Sequence, residues 1–195
     1  MLILNSIHDE KLVELLQNGK VGVIPTDTVY GLVAQAANPD AVERLYGLKH
    51  RQQKPGTIIA ASVEQLVELG IKARYLKAVE HFWPNSISIE IPHSINYLNQ
   101  GTGRQAFRIP NDEDLLALLR KTGPLQTTSA NHPGEPEGDT VARCIEYFGE
   151  SVDFYVEGGD LSGRKPSTLI RIIDDAIEVV REGAVKINEN GEIQL

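Results

Sequence analysis

The chain has little cysteine: Cys144 stands alone in 195 residues. No disulfide can close within the chain, and no cysteine-based zinc site of the usual four-ligand kind can form. On its predicted helix Cys144 reads as a small buried hydrophobe. Positive charge is also short, with 19 Lys and Arg against 27 Asp and Glu and a formal net charge of −8. A module built to grip a nucleic-acid backbone needs the opposite balance, because phosphates are met by Lys and Arg. The composition therefore argues against a dedicated nucleic-acid module and leaves room for a small local basic site.

Long apolar runs are missing too. No stretch approaches the ~20 residues of a membrane span. The first eighteen residues carry Asp9, Glu10, Lys11 and Glu14, which a signal peptide would not. The chain reads as cytoplasmic, with no membrane partner. The histidines (His8, His50, His81, His93, His132) show no metal-ligand spacing and no Ser-His-Asp order can be argued, so no metal site is expected. There is no internal repeat and no low-complexity segment. What is present is ordinary: 41% hydrophobic and 24% charged residues, enough for a normal core. The length suits one domain over residues 1–195.

The patterning interleaves helices and strands. Apolar spacing predicts helices over 8–18, 39–48, 63–69, 72–82, 112–121 and 140–148. Gly19 closes the first of these, and Asn38 with Pro39 opens the second. β-rich runs predict strands over 21–24, 57–61, 105–109, 125–128, 153–157, 167–172 and 178–181. Residues 86–91 alternate strictly, with Ile87, Ile89 and Ile91 against Ser86, Ser88 and Glu90, which predicts a half-buried strand. The sum is an α/β fold, a twisted mixed sheet of parallel and antiparallel strands with helices packed on it. Two polar loops stand out, 26–31 directly after a buried strand and 131–139 with His, Pro, Gly and acidic residues.

Three constellations can carry chemistry. Lys49-His50-Arg51-Gln52-Gln53-Lys54 is the densest positive run, and Pro55-Gly56 ends the helix that carries it. Two cations in one cleft suit a polyphosphate, whereas cations at a helix C-terminus can also simply oppose its dipole. Thr127-Thr128-Ser129-Ala130-Asn131 offers hydroxyls, an amide and free N–H groups at a strand end. That suits phosphate or nucleotide, or a turn satisfying itself. Arg108, between Phe107 and Ile109, needs an anion, and either a ligand carboxylate or an internal Asp or Glu would serve. The run Gly158 to Thr168 looks like a P-loop only at a glance: Arg164 follows the second glycine, Pro166 breaks the spacing, and a strand rather than a helix comes next.

In chain order these segments resemble the YrdC-like domain, the threonylcarbamoyl-AMP synthase family. The resemblance runs from Gly19 to about Ile187. Val23-Ile24-Pro25-Thr26-Asp27-Thr28-Val29-Tyr30-Gly31-Leu32 is similar to the family's opening signature, Lys49-His50-Arg51 to its K-x-R element and Ser129-Ala130-Asn131 to its S-x-N element. Phe107-Arg108-Ile109-Pro110, Pro166-Ser167-Thr168-Leu169-Ile170 and Val180-Arg181-Glu182-Gly183-Ala184 fill the later blocks. There are departures. Trp83-Pro84-Asn85-Ser86-Ile87-Ser88 stands for a usual W-P-G-P-hydrophobic-T, Arg181-Glu182-Gly183 for R-P-G, and Ala60 lies nearest to a histidine that some members carry.

The resemblance implies a concave, positively lined cavity in a short, single-domain form of the family. It implies that Thr26, Arg108, Thr127 and Ser167 hold threonine, and that Lys49, Arg51, Arg104, Ser129, Asn131 and Arg181 serve ATP, with Lys49 and Arg51 as the catalytic pair. The implied substrates are L-threonine, bicarbonate or CO2, and ATP, with Mg2+ carried by the nucleotide. The implied partners are proteins that transfer the threonylcarbamoyl group to tRNA, and weak RNA contact is compatible with the pattern. The rival reading is a paralogue that binds RNA or nucleotide without making this product; K-x-R and S-x-N standing intact together count against it.

Overall fold

The computed structural model describes residues 1–50, 53–174, 176–188 and 192–194. In chain order the elements are β1 (Leu2–Leu4), α1 (Glu10–Gln17), β2 (Gly22–Ile24), β3 (Gly31–Gln35), α2 (Pro39–Leu48), β4 (Thr57–Ile59), α3 (Val63–Glu68), α4 (Ala73–Val79) and β5 (Ile87–Pro92). Then follow α5 (Asn96–Asn99), β6 (Arg104–Arg108), α6 (Glu113–Thr122), β7 (Leu125–Ser129), α7 (Val141–Phe148), β8 (Phe154–Val156), β9 (Thr168–Ile173) and β10 (Ala176–Arg181). A small separate hairpin pairs β11 (Lys186–Ile187) with β12 (Ile193–Gln194).

The first ten strands form one sheet in the order β1-β8-β2-β3-β7-β4-β6-β5-β9-β10. It is mixed as expected: β4–β6 and β5–β9 run parallel, while β2–β3, β3–β7, β4–β7, β5–β6 and β9–β10 run antiparallel. Successive residues of a strand point to opposite faces, and the two halves of the core show it. Val23, Leu32, Ala34, Ile58 and Tyr155 join the larger cluster, with Val42, Leu45 and Tyr46 of α2 and Cys144 and Phe148 of α7. Their neighbours Ile24, Val33, Ile59, Phe154 and Val156 join the other, with Leu12 and Leu16 of α1 and Leu115, Leu118 and Leu119 of α6. Helix starts follow the sequence signals: the side chains of Asp9, Asn38, Ser62, Asp112 and Thr140 each accept an N–H of the first turn.

Three differences from the sequence reading matter. β3 was not expected; Leu32, Val33 and Ala34 are all fully buried, so the strand has no alternation to reveal it. The strand at 86–91 is not half-buried: Ser88 is 0% exposed, because β5 lies inside the sheet and its polar face is covered by the site described next. The helix expected over 72–82 stops at Val79 and tightens into a 3-10 turn over Glu80–Phe82, in keeping with Pro84 just beyond.

Candidate active site

A cavity of about 450 Å³ opens over the middle of the sheet. The turn from β2 to β3, the start of β4, β6, the end of β7, the start of β9 and the end of β10 all reach it. Its described walls carry Lys54, Arg104, Arg108 and Arg181, against the carboxylate of Glu90. Four of the chain's 19 Lys and Arg thus gather in one hollow of a protein of net charge −8, which is how an anion site is built.

One end is rich in hydroxyls. Thr26 Oγ1 donates to the Val29 carbonyl at 2.6 Å and accepts the Thr28 N–H at 3.2 Å, which folds the 26–29 turn on itself. The turn wraps Arg108, which is 3% exposed. Arg108 Nη1 donates to Thr28 Oγ1 at 3.2 Å, and Nη2 lies 3.2 Å from Asp27 Oδ1. Of the two partners left open for Arg108, the internal carboxylate is the one present, and the side chain also forms part of the cavity wall. The pairing is imperfect, since Arg108 Nε and Asp27 Oδ1 are buried without a hydrogen-bond partner.

Ser167 and Arg181 sit beside this end. Ser167 Oγ is 2.8 Å from Ser88 Oγ. Arg181 Nη2 donates to the Ser167 carbonyl at 2.7 Å and to its hydroxyl at 3.3 Å. Burial pushes the Arg108 guanidinium below its ordinary value, Asp27 pulls it back up, and the like charge of Arg181 lowers it again. Burial also lowers Arg181, with Glu137 opposing. Arg108 is buried with a like charge acting on it, so it gains from an anion beside it. Gly183 allows the seam to close: a Cβ there would lie 2.3 Å from the Pro166 carbonyl oxygen.

At the other end Lys49 follows the last residue of α2, as the Pro55-Gly56 signal implied. Its ammonium is 2.8 Å from the Ser129 carbonyl and 2.8 Å from Asn131 Oδ1, and it also bonds the Asn131 carbonyl. Ser129 Oγ donates to Asn131 Oδ1 at 2.7 Å. The K-x-R lysine and the S-x-N segment thus form one unit, in which Ser129 lines the cavity while Lys49 and Asn131 stand behind it. Thr26, Arg104, Thr127, Ser129, Ser167 and Arg181 all reach the cavity beside Arg108. Arg51 lies outside the described residues.

Sequence reasoning passed over several contributors. Gln105, 1% exposed, donates to Gln126 Oε1 at 2.6 Å and to the Gly56 carbonyl at 3.1 Å, tying β6 to β7 and to the approach of β4. Asp27 and Ser88 join the site through partners distant in sequence. Ser86 and Ser88 alternating with three isoleucines at the start of β5 are the available signal. The P-loop lookalike leads into β9 and not into a helix, and Tyr30 braces it by donating to the Gly159 carbonyl at 2.9 Å.

Comparison with known proteins places this geometry. The Sua5–YciO–YrdC family profile, described as "Telomere recombination", matches residues 14–183. A threonylcarbamoyl-AMP synthase of Pseudomonas aeruginosa is 33% identical over 175 residues, covering 87% of this chain and 94% of the relative. Sua5 of P. abyssi, solved as a complex with L-threonine, superposes with a TM-score of 0.82 at 27% identity over 95% of this chain. This chain spans 58% of that longer protein. E. coli YciO shares the fold, with a TM-score of 0.77 at 22% identity over 93% of this chain and 94% of its own.

Proposed function

The chain belongs to the Sua5–YciO–YrdC family, and from that membership and the chemistry of the cavity we infer that it is a threonylcarbamoyl-AMP synthase. The observation that carries the reading is the cavity itself: hydroxyls of Thr26, Thr127 and Ser167 beside Arg108 at one end, and Arg104, Arg181 and Ser129 continuing it. The first group suits the carboxylate and hydroxyl of threonine, the second a polyphosphate. In this reading Lys49, Arg51 and Asn131 complete the ATP end, Lys49 by holding the loop that presents Ser129. An ATP phosphate can take a hydrogen bond from Lys49 only by displacing a loop oxygen.

The reaction joins three substrates. The threonine amine adds to CO2 with loss of a proton, or condenses with bicarbonate with loss of water, to give a carbamate. A carbamate oxygen attacks the α-phosphorus of ATP, the bond to the β-phosphate oxygen breaks, and pyrophosphate leaves. Negative charge gathers on the phosphates, so the chain's task is positioning and electrostatic stabilisation. Arg181, bonded to Ser167 and lining the same cavity as Arg104 and Ser129, is suited to hold the carbamate against the α-phosphate. Mg2+ carried with the nucleotide would help neutralise its phosphates. The product then passes to proteins that transfer the threonylcarbamoyl group to a tRNA adenosine.

The test is incubation with ATP, bicarbonate and L-threonine while each is omitted in turn. Pyrophosphate should appear only with all three. Equal release without L-threonine would overturn the assignment, and no release under any condition would return the chain to a binding paralogue.

A further inference from the structure

We propose that the polar face of β5 is the hidden back wall of the amino-acid end, with Ser86 acting through Asp27 to aim Arg108, and Ser88 aiming Ser167. The proposal deepens the synthase reading and rests on it.

The argument begins with strand geometry. Ser86 immediately precedes β5 and Ser88 lies within it, so both hydroxyls fall on one side while Ile87, Ile89 and Ile91 fill the other side as core. The polar side does not meet solvent. Ser86 Oγ donates to Asp27 Oδ2 at 2.9 Å, and Ser88 Oγ sits 2.8 Å from Ser167 Oγ with no exposure at all. One strand thus reaches two different elements of the cavity wall, the turn between β2 and β3 and the segment that opens β9.

Asp27 is the hinge of this arrangement. Its side chain is 5% exposed, and the Arg108 side chain that it faces is 4% exposed. A buried pair of this kind is costly to desolvate and is repaid only by good hydrogen bonds. Here the repayment is partial: Asp27 Oδ1 and Arg108 Nε have no hydrogen-bond partner. An apolar pair would serve stability as well, so the pair is better explained by what it does to Arg108. Thr28 fixes one terminal nitrogen and Asp27 stands against the other, which leaves the guanidinium one orientation toward the cavity. Asp27 is absent from the cavity lining. It is a positioning residue, not a catalytic one, and Ser86 positions it in turn.

The effect should therefore be confined to the amino acid. Asp27→Asn keeps the shape and removes the charge. We expect the KM for L-threonine to rise roughly tenfold to a hundredfold, the range for losing one charge-assisted contact, while the KM for ATP stays within about twofold. Ser86→Ala and Ser88→Ala each remove one neutral hydrogen bond and should raise the threonine KM by roughly two- to tenfold. Ser86→Thr, which keeps a hydroxyl, should recover most of the loss. If Asp27→Asn does not fold, the two serine variants decide the matter. A merely structural role would lower the melting temperature and the yield of active enzyme while leaving both KM values unchanged, or would raise both alike; either result overturns the proposal. Failure of the synthase reading looks different, because wild-type enzyme would then show no threonine-dependent pyrophosphate release to compare against.

Discussion

Replacing Lys49 by Met removes the ammonium and keeps most of the stem, so packing changes little and the lost hydrogen bonds dominate. Lys49 is 2% exposed and gives its ammonium to three oxygens of the 129–131 segment. Those acceptors are not equally bereft. Asn131 Oδ1 keeps the Ser129 hydroxyl, and the Ser129 carbonyl keeps the Asn131 N–H at 3.0 Å. The Asn131 carbonyl loses most. Three charge-assisted bonds at about 1.5–3 kcal/mol each would be the ceiling. With two acceptors still served, about 2–4 kcal/mol is the reasonable loss. For a chain of this size that is roughly 5–15 °C in Tm, or about 1–2 M in the urea midpoint at a slope of about 2 kcal/mol/M. Urea unfolding by circular dichroism and steady-state kinetics should be run on the same sample. We expect a lower midpoint together with a KM for ATP that rises more than the KM for threonine, because the loosened loop presents Ser129. A variant that unfolds at the wild-type urea concentration and yet has lost turnover would refute the reasoning: the ammonium would then act on the substrate and not on the loop.

The other predictions follow from the same geometry. Arg108→Lys keeps the charge and loses the planar fork, so the KM for threonine should rise roughly tenfold or more with a smaller change for ATP. Lost stability with unchanged threonine dependence would leave Arg108 as Asp27's partner and nothing more. Gly183→Ala places a Cβ 2.3 Å from the Pro166 carbonyl oxygen and 2.5 Å from the Ser167 carbonyl carbon, and these backbone atoms must move. It should cost about 1–3 kcal/mol as overpacking does and lower kcat/KM, both visible in a melt and a rate assay. Arg181→Gln should raise the KM for both threonine and ATP, since Arg181 touches Ser167 and lines the shared seam; a change in one KM alone would place it at one end.

How far the sequence reaches can be judged residue by residue. The helix starts were legible because their caps are local: Asn38, Asp112 and Thr140 act within three residues of themselves. The 26–31 loop and the Thr127–Asn131 run were legible because loops at strand ends carry small polar side chains, and Arg108 because a cation between apolar neighbours needs an anion; Arg104, Ser167 and Arg181 came from the family resemblance alone. What was not legible is what depends on distant partners. Nothing near Lys49 says that its ammonium ends on a loop 80 residues later, and nothing near Ser86 says that it meets Asp27. His93 is the plainest case, a histidine without motif that the fold half-buries. Its ring lies edge-on to Phe107, with centroids 5.5 Å apart, and its Nδ1 accepts the Ile95 N–H at 3.3 Å. Burial pushes its pKa below the ordinary 6.5, and the Gln105 side chain opposes part of that. The sign follows directly. Below pH 6.5 the unfolded chain takes up a proton that the folded chain resists, so the unfolded state is favoured as pH falls toward the folded pKa. The contribution is complete above that window and is lost below it. Wild type should therefore lose more Tm between pH 7.5 and pH 5.5 than His93→Gln, which cannot titrate there; carboxylates common to both proteins cancel in the comparison. Equal losses in the two proteins would mean that His93 takes up its proton in the folded state as readily as in the unfolded one, and that its burial carries no penalty.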